Sequence, residues 1–350
     1  MEIQIRERKI GTGHPTFIIA EMSANHLGNF DTAVEIIRSA KQSGADAIKL
    51  QTYTPETMTI DCDSELFTIS EGTIWDGRTF YDLYTEAQTP WEWHADLKKI
   101  AEDEGLIFFS TAFDPSAVDF LEELDIPAYK IASFEITDIP LIEYVASKGK
   151  PILISTGIAT LCDIEEAVLA CRRMGNDQII LLKCTSAYPA PIEEANLRTI
   201  PHMAEAFNTI SGLSDHTTGI AVPAAAVAIG ASVIEKHFTL DRSAGGPDAP
   251  FSLEPDEFSQ MTCAIRNGER ALGTIRYDLT DKMQQNRVFA RSLFVVEDIQ
   301  KGETFTKENV RSIRPGNGMH PKNLIYILDK KAKIPLKKGT PLDWRMIENR

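Results

Sequence analysis

Two tripeptides, Ser214-Asp215-His216 and Glu235-Lys236-His237, each close a short apolar segment (209–213 and 231–234), and a helix-sized apolar stretch, 220–229, lies between them. This is the pattern of a strand–helix–strand unit with a histidine at each strand exit. Adjacent parallel strands lie roughly 4.8 Å apart, so histidines at matching heights can share one metal ion through bonds of about 2 Å. Two imidazoles leave most positions of an octahedral ion to substrate oxygens and water. That suits a divalent cofactor, Mn²⁺ or Mg²⁺, acting as a Lewis acid on a carbonyl; structural zinc wants four protein ligands. Ser214-Asp215-His216 is not a hydrolase triad, because neighbours on a strand point to opposite faces.

The elements that must position these residues are legible as an alternation. Short β-branched runs at 17–22, 47–51, 106–110, 128–131, 152–155, 179–183, 209–213 and 233–238 read as eight strands. Helical patterns follow at 32–43, 90–104, 115–124, 141–148, 163–174 and 221–229, with glycine or proline marking the returns. Strict alternation implies a parallel sheet, and eight units imply an α/β fold of the (β/α)8 TIM-barrel type. An open doubly wound sheet would want a glycine-rich turn after its first strand, and Glu21-Met-Ser-Ala-Asn-His26 is not one. The stretch 52–89 is too long for an ordinary loop and carries Phe67, Trp75, Phe80, Tyr81 and Tyr84, as an insertion covering an active site would. Beyond it all, short strands broken by turn signals suggest a small β-rich domain. The expected organisation is a catalytic barrel over 1–275, a linker over 276–287 and the small domain over 288–350.

Side chains at the carboxyl ends of barrel strands converge on one site. Those ends offer Glu21, Asn25 and His26; Lys49 and Gln51; Ser110 and Thr111; Lys130, Ser133 and Glu135; Ser155 and Thr156; Thr185, Ser186 and Tyr188; Ser214 to His216; Glu235 and His237. Lys49 and Lys130, with hydroxyls from Thr111, Ser133, Ser155 and Ser214, make a cationic, donor-rich patch suited to a phosphate or carboxylate. Glu21, Glu135 and Asp248 are candidates for proton transfer or for binding sugar hydroxyls. The chain has 350 residues, 43% hydrophobic and 25% charged, with net charge −15. The acidic balance argues against nucleic acid and anionic membrane surfaces as partners. Five cysteines without C-x-x-C spacing, a charged start and no 18-residue uncharged apolar run point to a cytoplasmic protein. Two other readings of the same residues are a lysine Schiff-base aldolase using Lys130 or Lys183, and a sugar- or ice-binding module.

The motifs Phe17-Ile-Ile-Ala-Glu21, Ser23-Ala-Asn-His26, Gly44-Ala-Asp-Ala-Ile-Lys49-x-Gln51, Pro127-Ala-Tyr-Lys-Ile131, Ser155-Thr-Gly157, Cys184-Thr185, Gly212-Leu-Ser-Asp-His216 and Glu235-Lys-His-Phe238 resemble those of the nonulosonic acid (sialic-acid-type) synthases. The C-terminal stretch, with Asp298-Ile-Gln-Lys-Gly302 and Arg314-Pro-Gly-Asn-Gly318, is similar to their antifreeze-like (SAF) domain. The resemblance implies metal-dependent, C–C bond-forming transfer, of EC 2.5.1 type, from phosphoenolpyruvate to an open-chain aldehyde sugar. It implies His216 and His237 as metal ligands. It also implies Lys49, Thr111, Lys130, Ser133, Ser155 and Ser214 at phosphoenolpyruvate, with Glu21, Gln51, Glu135, Tyr188 and Asp248 near the sugar and reacting carbons. Lys130 would aid phosphate departure, and Glu21 or Glu135 would take a proton from water. A domain-swapped homodimer is implied as well, with Arg314 reaching the partner's barrel. Trp75-Asp76, Leu83-Tyr84, Thr89-Pro-Trp-Glu-Trp-His94 and Lys183-Cys-Thr-Ser-Ala-Tyr188 most resemble the pseudaminic acid synthases, whose sugar is 2,4-diacetamido-2,4,6-trideoxy-L-altrose. Ser186 stands where N-acetylneuraminate synthases usually carry asparagine. N-acetylneuraminate or legionaminate synthesis is the alternative.

Overall fold

A computed structural model describes residues 1–70 and 72–348. The chain divides into two compact units, Met1–Gly273 and Thr274–Arg350. The first opens with an antiparallel hairpin, β1 (Glu2–Ile5) and β2 (Arg8–Gly11). Its alternating pattern turns Ile3, Ile5 and Ile10 into one buried cluster with the barrel interior. From sequence this segment shows only as a charged start, because four-residue strands with one apolar face carry little signal.

Eight parallel strands then close on themselves: β3 (Phe17–Glu21), β4 (Ala47–Thr52), β5 (Ile107–Ala112), β6 (Tyr129–Ile131), β7 (Ile152–Ser155), β8 (Ile179–Cys184), β9 (Ile210–Asp215) and β10 (Val233–His237), with β10 pairing back onto β3. The expected TIM barrel is therefore present, and each expected strand is one of its staves. The strand period of two divides their apolar residues between two cores. Phe17, Ile19, Ala47, Phe109, Ala128, Leu153, Ile180, Leu182, Ile210 and Val233 fill the interior. The alternate residues, such as Ile18, Ile48, Leu50, Phe108, Ile131, Ile154 and Leu181, pack outward against the helices. In the helix Phe30–Gln42, Ala33, Ile36, Ile37 and Ala40 form the buried stripe, and the Asn29 side chain caps the first turn by accepting from Thr32 N. Asp114 caps Pro115–Glu123, and Asp138 caps Ile139–Ala146, in the same way.

Three details differ from the expected elements. The helix expected over 90–104 begins as a 3₁₀ turn, Trp91–Trp93, and becomes α-helical at His94. Two helices the sequence reading did not name, Thr199–Phe207 and Pro255–Leu272, complete the outer layer. The insertion between β4 and β5 carries two short helices, Pro55–Met58 and Phe80–Ala87. Trp75 of that insertion donates from Nε1 to Pro247 O at 3.1 Å, which ties it to the loop after β10.

The second unit contains the antiparallel pair β11 (Ser292–Val295) and β12 (Val310–Ile313). Leu293, Val295, Ile299, Phe305, Val310, Ile327, Leu336 and Ile347 are among the residues of its own core. Elsewhere in this unit strand contacts occur as single bridges, such as Ala332 to Ile347. Residues Asp281–Asn286, within the expected linker, form a short helix capped by Thr280. All five cysteines are free thiols, and no helix among the described residues is long and apolar enough to cross a membrane.

Candidate active site

Strand parity decides which exit residues face inward. Phe17 and Ile19 fill the barrel, so Glu21, two residues on, points the same way. The same count from Ala47, Phe109, Ala128, Leu153 and Val233 delivers Lys49, Thr111, Lys130, Ser155 and Glu235, with Gln51 and His237 one step higher. One pocket at this end is lined by Glu21, Lys49, Gln51, Thr111, Lys130, Ser133, Ser155, Cys184, Tyr188, Ser214, Glu235 and both histidines, His216 and His237. Eleven of the residues expected at the site thus meet in one cavity; of the rest, Glu135, Ser186 and Asp248 stand around it in the same unit.

The other parity corrects part of the sequence reading. Ser110 bonds Thr52, which bonds His94, outside the barrel. Thr156 donates to the Leu182 carbonyl. Lys183, a possible Schiff-base lysine, donates to Cys184 O at 2.5 Å and Thr185 Oγ1 at 3.3 Å and does not line the pocket. Asn25 and His26 are buried braces: Asn25 donates to Phe238 O and Ser252 Oγ, and burial pushes His26 down to about 4.

The pocket has a cationic half. Lys49 Nζ lies 2.5 Å from Glu21 Oε2 and 3.8 Å from Glu235 Oε1, and it donates to Thr111 Oγ1 at 2.9 Å. Burial opposes the charge on Lys49, but the two carboxylates outweigh it and raise its pKa. Lys130, also buried, donates to Ile131 O at 2.8 Å, and desolvation lowers its pKa despite Glu235 nearby. A bound anion would offset that effect by favouring the charged amine. Ser155 Oγ and Ser186 Oγ are buried without a hydrogen-bond partner. Gly157 N donates to Ser133 Oγ at 3.0 Å. A Cβ on Gly157 would fall 2.0 Å from Ser186 Oγ and 2.7 Å from Ser133 Oγ, so glycine keeps this cluster of hydroxyls clear.

The imidazole half lies at the exits of β9 and β10. The rings of His216 and His237 have centroids 5.3 Å apart, and Phe251 and Tyr188 pack beside them. His216 Nδ1 lies 3.1 Å from the Thr185 carbonyl, an acceptor that orients the ring with a proton on Nδ1; burial opposes its charge, but Cys184 beside it raises its pKa. Burial and the cations around it hold His237 well below the usual imidazole range, so it is neutral, and its Nδ1 is buried without a partner. A neutral, unpartnered imidazole beside an oriented one fits a divalent ion. Among the described residues no set of three His, Cys, Asp or Glu side chains is arranged to hold a metal.

A polar chain leads outward from this centre. Gln51 donates to Glu21 Oε1 at 3.1 Å and to Ser23 Oγ at 2.9 Å, and Ser23 in turn donates to Asp248. Burial raises Asp248 above the usual carboxylate range. Glu135 ends the 3₁₀ turn Ser133–Glu135; burial pushes it up to about 7 against the pull of Lys130, and its Oε2 has no partner. Arg314 belongs to the second unit, where it is exposed just beyond β12.

Two pocket residues were not assigned a role from sequence. Glu235 accepts from Ser214 Oγ at 3.0 Å, and Lys49 and Lys130 hold it ionised against the cost of burial. Cys184 lies 3.6 Å from His216 Nδ1. Parity would have found both: Glu235 precedes the inward His237 by two residues, and Cys184 follows the inward Leu182 by two.

The profile of the NeuB family matches residues 36–277, and that of the SAF domain matches residues 290–348. The chain belongs to the NeuB family. Its relatives include the pseudaminic acid synthase of Campylobacter jejuni, 47% identical over 95% of this chain and 96% of the relative. The N,N'-diacetyllegionaminic acid synthase of Legionella pneumophila is 37% identical over 97% of this chain and 96% of that one. Among solved structures, the spore coat polysaccharide biosynthesis protein spsE of Bacillus subtilis superposes with TM-score 0.68 at 35% identity, covering 100% of both chains. The NeuB barrel thus carries the cationic and imidazole halves described above, and the SAF domain supplies the second unit.

Proposed function

We propose that this NeuB-family chain is a pseudaminic acid synthase. It joins phosphoenolpyruvate, 2,4-diacetamido-2,4,6-trideoxy-L-altrose and water into pseudaminic acid and phosphate, a C–C bond-forming transfer of EC 2.5.1 type. One observation carries the reaction class: two buried lysines ringed by hydroxyls share a pocket with a paired, unsaturated set of imidazoles. The acceptor is argued from the identity of 47% to a pseudaminic acid synthase against 37% to a legionaminic acid synthase.

The chain's residues divide the work. Lys49 and Lys130 take the phosphate and carboxylate of phosphoenolpyruvate, and Thr111, Ser133, Ser155 and Ser214 complete the donors. Gln51, Ser186, Tyr188 and Asp248 face the sugar. C3 of phosphoenolpyruvate bonds to the aldehyde carbon, water adds at C2, and the C2–O bond to phosphate breaks. Lys130 stabilises the departing phosphate dianion, a preorganised charge in a dry site. A divalent ion, Mn²⁺ or Mg²⁺, held by His216 and His237 would polarise the aldehyde oxygen. Glu135 is the better placed of the two carboxylates to accept the water's proton. Glu21 is ion-paired to Lys49 at 2.5 Å, whereas Glu135, with no ion pair among the described residues, is pushed up to about 7 by burial.

Arg314, on an exposed turn, is suited to reach the sugar of a second copy, which makes a domain-swapped homodimer the working assembly. The free thiols are in keeping with a cytoplasmic setting. The test is phosphate release from phosphoenolpyruvate. It should require an aldehyde sugar, stop with EDTA and return with Mn²⁺ or Mg²⁺. Release that ignores the sugar or the chelator contradicts the reading.

A further inference from the structure

Behind the imidazole pair, on the opposite face of the same two strands, lies a buried ion pair the reaction does not use. Lys236 Nζ sits 2.5 Å from Asp215 Oδ2, with side-chain exposures of 0% and 2%. Strand register sets Lys236 opposite Asp215 and Glu235 opposite Ser214; His237 ends β10, His216 follows the last residue of β9, and their rings stand 5.3 Å apart. Lys236 also donates to the Thr217 carbonyl. Thr217 returns two bonds to Asp215, from N to Oδ1 at 3.1 Å and from Oγ1 to Oδ2 at 3.1 Å. His216 is thereby held on both sides, by the residue before it and the residue after it, and both are fastened to the side chain that precedes His237.

The energetics say what such a pair is for. Desolvating two charges costs about what their attraction returns, so a buried ion pair adds little stability over an apolar pair of similar volume. What it adds is direction, because the ammonium and carboxylate bond at fixed geometry and apolar contacts do not. Partners that orient metal-binding imidazoles are typically worth about 10–100-fold in metal affinity.

We propose that Asp215, Lys236 and Thr217 form a positioning clamp that fixes the spacing of His216 and His237 and so sets affinity for the divalent ion. This rests on the two histidines being its ligands. The clamp is not part of the catalytic surface, since Asp215, Lys236 and Thr217 do not line the pocket.

The test is Mn²⁺ titration of metal-free protein, following free Mn²⁺ by electron paramagnetic resonance, with melting temperature recorded alongside. Asp215→Asn with Lys236→Met removes both charges together and leaves no ion unpaired. Thr217→Val cuts one bond and keeps the ion pair. The double variant should bind Mn²⁺ at least about tenfold more weakly with a melting temperature close to that of the natural chain. Thr217→Val should weaken binding severalfold, and it decides the matter if the double variant does not fold. Affinity unchanged in the folded variants overturns the clamp while leaving the histidines as ligands. Natural protein that binds no Mn²⁺, or His216→Ala and His237→Ala chains that bind it unimpaired, overturns the ligand assignment and the clamp with it.

Discussion

At the scale of single residues, the site works by keeping groups in ionisation states that water would not favour. Glu135 shows this most directly: burial lifts it to about 7 from a usual 4.5. If its ionised form takes the water's proton, kcat/KM should fall tenfold per unit as pH drops below about 7. Glu135→Gln should lose most activity at every pH, and a natural-chain profile flat from pH 5.5 to 8 would remove Glu135 from the role. Stability should move the other way. A raised folded pKa means the contribution is full below about 4.5 and is lost as pH rises through about 7, so the Gln variant should lack that loss. Gly157 gives a steric test of the cationic half. In Gly157→Ala the new methyl would crowd the Ser133 and Ser186 hydroxyls. Displacing donors to a charged ligand costs about 1.5–3 kcal/mol each, so the KM for phosphoenolpyruvate should rise by at least about tenfold. Initial-rate kinetics at saturating sugar would show it, and an unchanged KM would dissociate the Ser133 hydroxyl, the anion donor of the two, from phosphoenolpyruvate.

At the scale of elements, the barrel was legible because each strand is a short β-branched run closed by a turn signal. Much of the site was legible because parallel strands end at one rim. What blurred the reading was treating every polar residue at an exit as part of the site. Alternation sends Lys49, Lys130 and His237 inward, but Ser110, Lys183 and Asp215 outward, and following it would also have promoted Glu235 and Cys184. The link from Ser23 to Asp248 spans 225 residues of sequence, and no local pattern encodes it. Thr199–Phe207 escaped notice because it has no side-chain N-cap and contains Pro201. The N-terminal hairpin yields an element-scale prediction. Ile5 is fully buried among the inward apolar residues beneath the site. Ile5→Ala should cost about 2–4 kcal/mol, visible in chemical denaturation, with kcat/KM unchanged. A stability loss of under about 0.5 kcal/mol would mean that the hairpin does not plug the barrel.

At the scale of the whole molecule, two units would serve one reaction. The SAF unit has its own core and an exposed arginine at its turn, while the lysines and histidines belong to the barrel. If Arg314 acts on a second copy, Arg314→Ala chains and His237→Ala chains, each inactive alone, should regain activity when mixed. A mixed dimer would contain one barrel with intact histidines visited by one intact arginine. No recovery, with subunit exchange shown independently, would confine Arg314 to its own chain or exclude it. The central claim is the identity of the sugar, and one comparison tests it most directly. With phosphoenolpyruvate and Mn²⁺ held constant, kcat/KM is measured for 2,4-diacetamido-2,4,6-trideoxy-L-altrose, for the legionaminate precursor and for N-acetylmannosamine. The Ser186 hydroxyl in place of an amide should favour the less hydroxylated acceptor, by at least about a hundredfold where a hydrogen-bonding site decides. Equal or better turnover of the legionaminate precursor or of N-acetylmannosamine would contradict the account.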